Sequence, residues 1–137
     1  MRIQLDDLAY PPTRSHADDA GLDLYSRQTL TIPAGGSAVF DTGVHIALPH
    51  GWYGKIESRS GLNIKHGIVS CGGVIDSNYR GSIVVKLYNL SKDNYVVEGG
   101  DRIAQLVIMP CLIQTIEIVD ELEETDRGNA GFGSSGR

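Results

Sequence analysis

An all-β fold, a jelly roll or distorted β-barrel of many short strands, is what this chain predicts, and three observations predict it. Apolar and polar residues alternate with the period of a half-buried strand at Val44, Ile46 and Leu48 against His45 and Ala47, and at Ile83, Val85 and Leu87 against Val84, Lys86 and Tyr88. Breakers recur at Pro11-Pro12, Gly35-Gly36, Pro49-His50-Gly51, Gly72-Gly73 and Gly99-Gly100, leaving no room for a long helix. The 137 residues are 41% hydrophobic and 21% charged, enough for one core and too little for two.

Each element follows from these rules. The first alternating run is a strand closed by Pro49-His50-Gly51. Arg59 to Lys65 is the one stretch that reads as a helical turn, with Ser58 or Ser60 as its cap. The second alternating run is a strand, and Ile116 and Ile118 repeat its pattern. After Val119 the character changes: DELEETDRGNAGFGSSGR has acids, then glycines, and no apolar period. Residues 1–120 are therefore expected to form the core and 121–137 an arm of the same single domain. A Gly/Ser-rich end is by default a disordered linker. A linker, however, has no use for Phe132 among glycines with Arg127 beside them. A ligand-closing arm needs a ring to stack and bare backbone to touch phosphate.

The formal net charge is −5, so no basic field covers the surface to hold a nucleic-acid polymer by its phosphates. An anionic small molecule remains compatible, because a few arginines and backbone N–H groups make a local positive site in an acidic protein. No segment is long and apolar enough to span a bilayer, and the N-terminus has no apolar leader, so a soluble, cytoplasmic protein is expected. Cys71 and Cys111 lack metal or redox spacing and read as reduced thiols, Cys111 as core packing. His16, His45, His50 and His66 show no ligand spacing and read as surface or loop residues.

Five stretches place polar groups beside glycine in apolar company: AGLDLY (Ala20 to Tyr25), RSGLNIKHGI (Arg59 to Ile68), GGVIDSNYRG (Gly72 to Gly81), GDRIAQLVI (Gly100 to Ile108) and RGNAGFGSSG (Arg127 to Gly136). Singly, Asp23 is a solvated strand-end acid, Arg59-Ser60-Gly61 a turn, Asp76 a turn aspartate, Tyr79 a core tyrosine and Gln105 an outward strand residue. In this order and spacing they resemble the five motifs of the trimeric dUTPase family. Ser58, Asn63, Asn78 and Ala130 depart from the family's usual residues. Of these only Ala130 bears on backbone freedom, in the arm.

The resemblance implies a function and a site. Gly72, Gly73 and Ile75 would shape a hairpin whose main chain reads uracil, and a cytosine there would leave buried groups unpaired at ~1–3 kcal/mol each. Tyr79 would lie against the deoxyribose and exclude a ribose hydroxyl. Asp76 would be the general base, polarising the water that attacks the α-phosphorus of dUTP. Arg59, Ser60, Gly61, Gln105 and, from the arm, Arg127, Phe132, Gly133 and Ser134 would bind substrate, with Asp23 and Arg80 in supporting roles. Mg²⁺ would be held by phosphates and waters without direct protein ligands. The family also implies a homotrimer with shared sites.

Two rivals follow from the same residues. A dCTP deaminase of similar fold carries a catalytic glutamate ten residues after the equivalent of Asp76, where this chain has Lys86, which cannot make the same proton transfers. A nucleotide-gated regulatory module, with a protein partner the sequence does not identify, would keep the site and use it as a switch.

Overall fold

The computed structural model describes residues 1–131. Its elements are β1 (Arg2–Leu5), β2 (Gly21–Tyr25), β3 (Leu30–Ile32), β4 (Ser37–Asp41), β5 (Val44–Ala47), β6 (Trp52–Glu57), α1 (Ser60–His66), β7 (Ile68–Ser70), β8 (Val74–Ile75), β9 (Val84–Asn89), β10 (Tyr95–Val97) and β11 (Arg102–Pro110). The strands make four small antiparallel sheets, ordered β2-β11-β6-β8, β4-β9-β7, β1-β5 and β10-β3. This is a jelly-roll-like arrangement, and none of its sheets closes into a barrel among the described residues. Among the described residues no helix is long and apolar enough to cross a membrane.

Strand alternation builds the core. Val44 and Ile46 of β5 and Val85 and Leu87 of β9 are buried while their neighbours face outward. They meet Leu24, Ile32, Phe40, Ile68, Ile83, Ile103 and Leu106, each almost fully enclosed, in one cluster. Three polar side chains are buried among the described residues, and each is hydrogen-bonded. Thr42 Oγ1 donates to the Ile83 carbonyl (2.8 Å), Ser26 Oγ to Gln28 (2.6 Å), and the Asn89 amide to Ile32 (3.1 Å) and Asp93 (2.8 Å). No buried side-chain nitrogen or oxygen among the described residues lacks a partner, as close packing requires.

β11 is the spine of the largest sheet, pairing with β2 on one side and β6 on the other. Its pairing with β2 shifts register between Arg102 and Ala104, and Ile103 and Ala104 are buried consecutively. A bulge of this kind places two residues where the partner strand has one. Strict alternation would send Arg102 and Gln105, three residues apart, to opposite faces. The bulge lets both work on the face of Asp23.

Three sequence expectations are corrected. The helix exists, but its N-cap is Arg59, with no side-chain cap; Ser60 is already inside the helix and Ser58 is occupied elsewhere. Its end follows the usual rule, with Gly67 in the left-handed region (φ 66°) and its N–H returning to Asn63 and Leu62. Cys111 is only partly buried, because β11 ends at Pro110 and the cysteine lies just past the strand, its N–H donating to the Gly51 carbonyl. Ile116 and Ile118 form no strand and are almost fully exposed, at 88% and 95%. Their alternation is real, but among the described residues no strand pairs with them.

Candidate active site

The sequence-derived site residues fall into two groups. The first surrounds Asp23 on β2. Its carboxylate accepts from Arg59 Nε through Oδ1 (3.0 Å) and from Arg102 Nη1 through Oδ2 (3.2 Å), and its side chain is only 14% exposed. Arg59 Nη1 donates to the Arg102 carbonyl (3.3 Å), and Arg102 Nη1 also reaches Ser15 Oγ (3.2 Å). One acid thus holds two guanidinium groups apart and oriented, leaving the cluster net positive in an acidic protein. Gln105 pairs directly with Asp23 across the β11–β2 ladder and with Glu57 across β11–β6. Its amide donates to the Ser58 carbonyl (3.0 Å).

The glycine of AGLDLY has a steric reason: a Cβ on Gly21 would lie 2.2 Å from Gln105 Oε1. The glutamine side chain lies across bare backbone there. Ser58 in turn binds Ser70, its Oγ accepting from the Ser70 N–H (2.8 Å), so β6 and β7 are locked beside the cluster. A cleft of about 180 Å³ opens next to it between Arg59, Leu62, Tyr95, Val97, Asp101 and Arg102. Burial, then the Asp101 charge, pushes the Tyr95 phenol up, so the ring presents a neutral hydroxyl to the cleft.

The second group sits on the connection between β8 and β9. Ile75 is buried, Asp76 is exposed, and Val74, Ile75, Asp76, Tyr79, Ser82 and Val84 line a cleft of about 230 Å³. The Tyr79 N–H closes a turn onto the Asp76 carbonyl (3.0 Å). The Asp76 carboxylate makes no hydrogen bond of its own among the described residues, which differs from a self-bonded turn aspartate. Tyr79 is not core: its side chain is exposed and its hydroxyl donates to the Ser82 carbonyl (3.2 Å). The ring folds over Gly81, where a Cβ would meet the phenol oxygen at 2.2 Å. Arg80 Nη1 caps its own loop, donating to the carbonyls of Ser77 (2.8 Å) and Tyr79 (2.7 Å).

Within the chain the two groups are far apart. Ile75 pairs with Gly54 of β6, so the next step sets Asp76 beside Tyr53, whereas Gln105 lies opposite Glu57. That interval is ~13 Å along the strand, and Arg59, bonded to Asp23 opposite Gln105, belongs to its far end. Ser60 and Gly61 open α1 beside Arg59, both exposed. Gly72 and Gly73 lead into β8, with the Gly73 carbonyl accepting from the Ile56 N–H (3.0 Å). Arg127 Nε donates to the Ala130 carbonyl (2.9 Å), while Phe132, Gly133 and Ser134 lie outside the described residues. Arg102 is a site residue that sequence reasoning missed; its place inside GDRIAQLVI, three residues before Gln105, was the available signal.

Fold and site together define a small jelly-roll-like protein that carries a carboxylate cleft and an arginine cluster on separate parts of one sheet. The chain belongs to the dUTPase family, whose profile matches residues 9–136. It is 47% identical to the human mitochondrial deoxyuridine 5'-triphosphate nucleotidohydrolase over 98% of its own length. It is 45% identical to the rat protein and 43% to that of Paramecium bursaria Chlorella virus 1. It spans 53% of the human protein, 66% of the rat protein and 94% of the viral one. The dUTPase of Staphylococcus bacteriophage 80alpha, solved with dUpNHpp, superimposes with a TM-score of 0.93 at 32% identity, covering 99% of this chain and 98% of that one. A mutant dUTPase from phage phi11 of S. aureus, with a structural Mg(II) ion, gives 0.83 at 28%, covering 90% and 98%.

Proposed function

We propose that this chain hydrolyses dUTP to dUMP and pyrophosphate as a homotrimer whose sites are assembled from more than one subunit. The observation that carries the reading is the separation just described. A candidate base and the cations meant for the same triphosphate lie well apart within one chain, and that separation supports a site that takes them from different copies.

Asp76 holds the attacking water. The water oxygen forms a bond to the α-phosphorus, its proton passes to the carboxylate, and the bond to the bridging oxygen breaks with pyrophosphate as leaving group. An exposed carboxylate is a weak base, so orientation by Asp76 and charge stabilisation by the arginines share the work. Gln105, held over Gly21, and Arg59, aimed by Asp23, meet the phosphates. Mg²⁺ would be held by the substrate phosphates and waters with no direct protein ligand, and would supply charge neutralisation on the phosphates. The arm, residues 121–137, closes the site, with Phe132 stacking on the base and Arg127, Gly133 and Ser134 on the phosphates. The protein acts in the cytoplasm.

Lys86, at the deaminase position, is exposed on β9 with its ammonium 4.9 Å from the Tyr88 ring centre, where it supplies no proton acceptor. A regulatory reading has one support, that the phage 80alpha relatives are described as controlling transfer of virulence genes. Pyrophosphate release from dUTP, dCTP, dTTP and UTP, with ammonia release from dCTP measured beside it, separates all three readings. Release from dUTP alone is expected; no turnover of any would overturn the enzyme. The shared site is tested by mixing a chain truncated after Glu124 with a full chain carrying Asp76→Asn. Each alone is nearly inactive, and activity returns on subunit exchange. Confirmed exchange without recovery would place base and arm on one chain.

A further inference from the structure

The loop that carries Asp76 and Tyr79 is gripped from behind by a set of charged side chains that the hydrolysis does not use. His45, on β5, points Nδ1 at the Arg80 carbonyl (2.8 Å) and Nε2 at Asp6 Oδ1 (3.0 Å). Asp6 Oδ2 faces Arg27 Nη1 (3.5 Å), Arg27 Nη2 binds Asp41 Oδ2 (2.5 Å), and Asp41 Oδ1 accepts from Ser82 Oγ. From Ser82 through Asp41, Arg27, Asp6 and His45 to Arg80, the contacts form a circuit that begins and ends on the same loop, two residues apart. Tyr79 lies against it, its hydroxyl donating to the Ser82 carbonyl.

Both partners of the His45 ring are acceptors. A carbonyl can only accept, and so can an ionised carboxylate, so each ring nitrogen must carry a proton for both contacts to exist. A neutral imidazole satisfies one and presents a lone pair to the other.

We infer that His45 is a positioning residue that, as the imidazolium, clamps the Asp76–Ser82 loop to the Asp6 turn and so sets the sugar-facing ring of Tyr79. This rests on reading that loop as part of the nucleotide site. The charged groups around the ring are Asp6 beyond β1, Arg2 of β1, Asp41 of β4, Arg27 after β2, and Arg80 in the loop itself; Gln4, its register partner, is neutral. The Arg80 carbonyl, and after it Asp6 against the opposing cost of burial, raise the His45 pKa above 6.5. The sign follows: the clamp is complete below the ordinary histidine value and is lost as pH rises through the raised one.

The test compares wild type with His45→Gln and Asp6→Asn across this pH range. In wild type, KM for dUTP rises about 3- to 10-fold as the clamp opens, the worth of one ordinary hydrogen bond, while kcat moves less than about twofold because the tether is at Arg80 rather than Asp76. In His45→Gln that step disappears. Without nucleotide, nitrogen NMR of the ring should show it titrating above 6.5 in wild type and lower in Asp6→Asn. Protection of the Tyr79 amide against hydrogen exchange should fall over the same range in wild type only. If His45→Gln does not fold, Asp6→Asn carries both readouts. Absence of dUTP turnover in wild type would remove the catalytic reading while the ring titration and amide exchange still judge the clamp. A ring that titrates at or below 6.5, or amide protection and KM profiles that coincide in wild type and variants, would overturn it.

Discussion

Replacing Gly73 by alanine separates two roles that glycines in a hairpin can have. Neither Gly72 nor Gly73 has a positive φ, so an alanine at either position meets no backbone strain of its own. Space distinguishes them. A Cβ on Gly72 would lie 2.8 Å from the Ile56 carbonyl oxygen, whereas one on Gly73 meets nothing within 4 Å. Gly72→Ala must push the hairpin off β6, the kind of backbone shift that costs about 1–3 kcal/mol. Gly73→Ala leaves the Ile56–Gly73 hydrogen bond intact, and its stability should stay within about 0.5 kcal/mol of wild type. If this main chain reads the edge of uracil, the new methyl stands where the base must approach. Losing one base hydrogen bond at about 1–3 kcal/mol lowers kcat/KM about 5- to 150-fold. Steady-state kinetics with dUTP and thermal unfolding of the same preparations give both numbers. Wild-type kcat/KM in a Gly73→Ala protein of unchanged Tm would refute base reading by this backbone. A lowered Tm would refute the steric argument instead.

Two further outcomes follow from single contacts. Tyr79→Ala removes an exposed ring with one hydrogen bond, so stability should barely change while the kcat/KM ratio of dUTP to UTP narrows; an unchanged ratio would remove Tyr79 from sugar selection. The Asp41 carboxyl is held below 3.8 chiefly by the Ser82 hydroxyl, with the Gly43 N–H and Arg27 adding to it against burial. Because its folded value is depressed, its contribution is complete above 3.8 and lost as pH falls through the lower folded value. Thermal unfolding against pH should therefore show a shallower acid decline in Asp41→Asn than in wild type, and equal slopes would contradict it.

The alternating runs at Val44–Leu48 and Ile83–Tyr88 were legible because burial on one face imposes a period of two on the residues themselves. The breakers were legible for the same local reason. Gly35, Gly51 and Gly100 all take positive φ where the sequence placed turns. The helix start was not legible in detail. Two serines flank Arg59, and only the fold shows that Ser58 is bound to Ser70 across the β6–β7 junction. Ile116 and Ile118 mark the limit of pattern reading: alternation states that a segment can serve as a strand and says nothing of where a partner lies. The site divides in the same way. Motif order brought Asp76, Tyr79, Arg59 and Gln105 to attention, but their separation depends on β6 register, and the Asp23–Arg102 pair on a bulge, neither of which is a property of any short motif.

That bulge has a consequence for how this protein can change. Deleting Ile103 or Ala104 would restore in-out alternation along β11 and leave Arg102 and Gln105 two residues apart, still on the face of Asp23, but it would take a fully buried side chain out of the core. A slip that flattened the strand while keeping both residues would spare the core count and turn Arg102 away from Asp23 instead. The irregularity therefore sets scaffold against chemistry: a lineage can tidy this strand at the expense of packing or at the expense of the arginine pair, and by no single step that spares both.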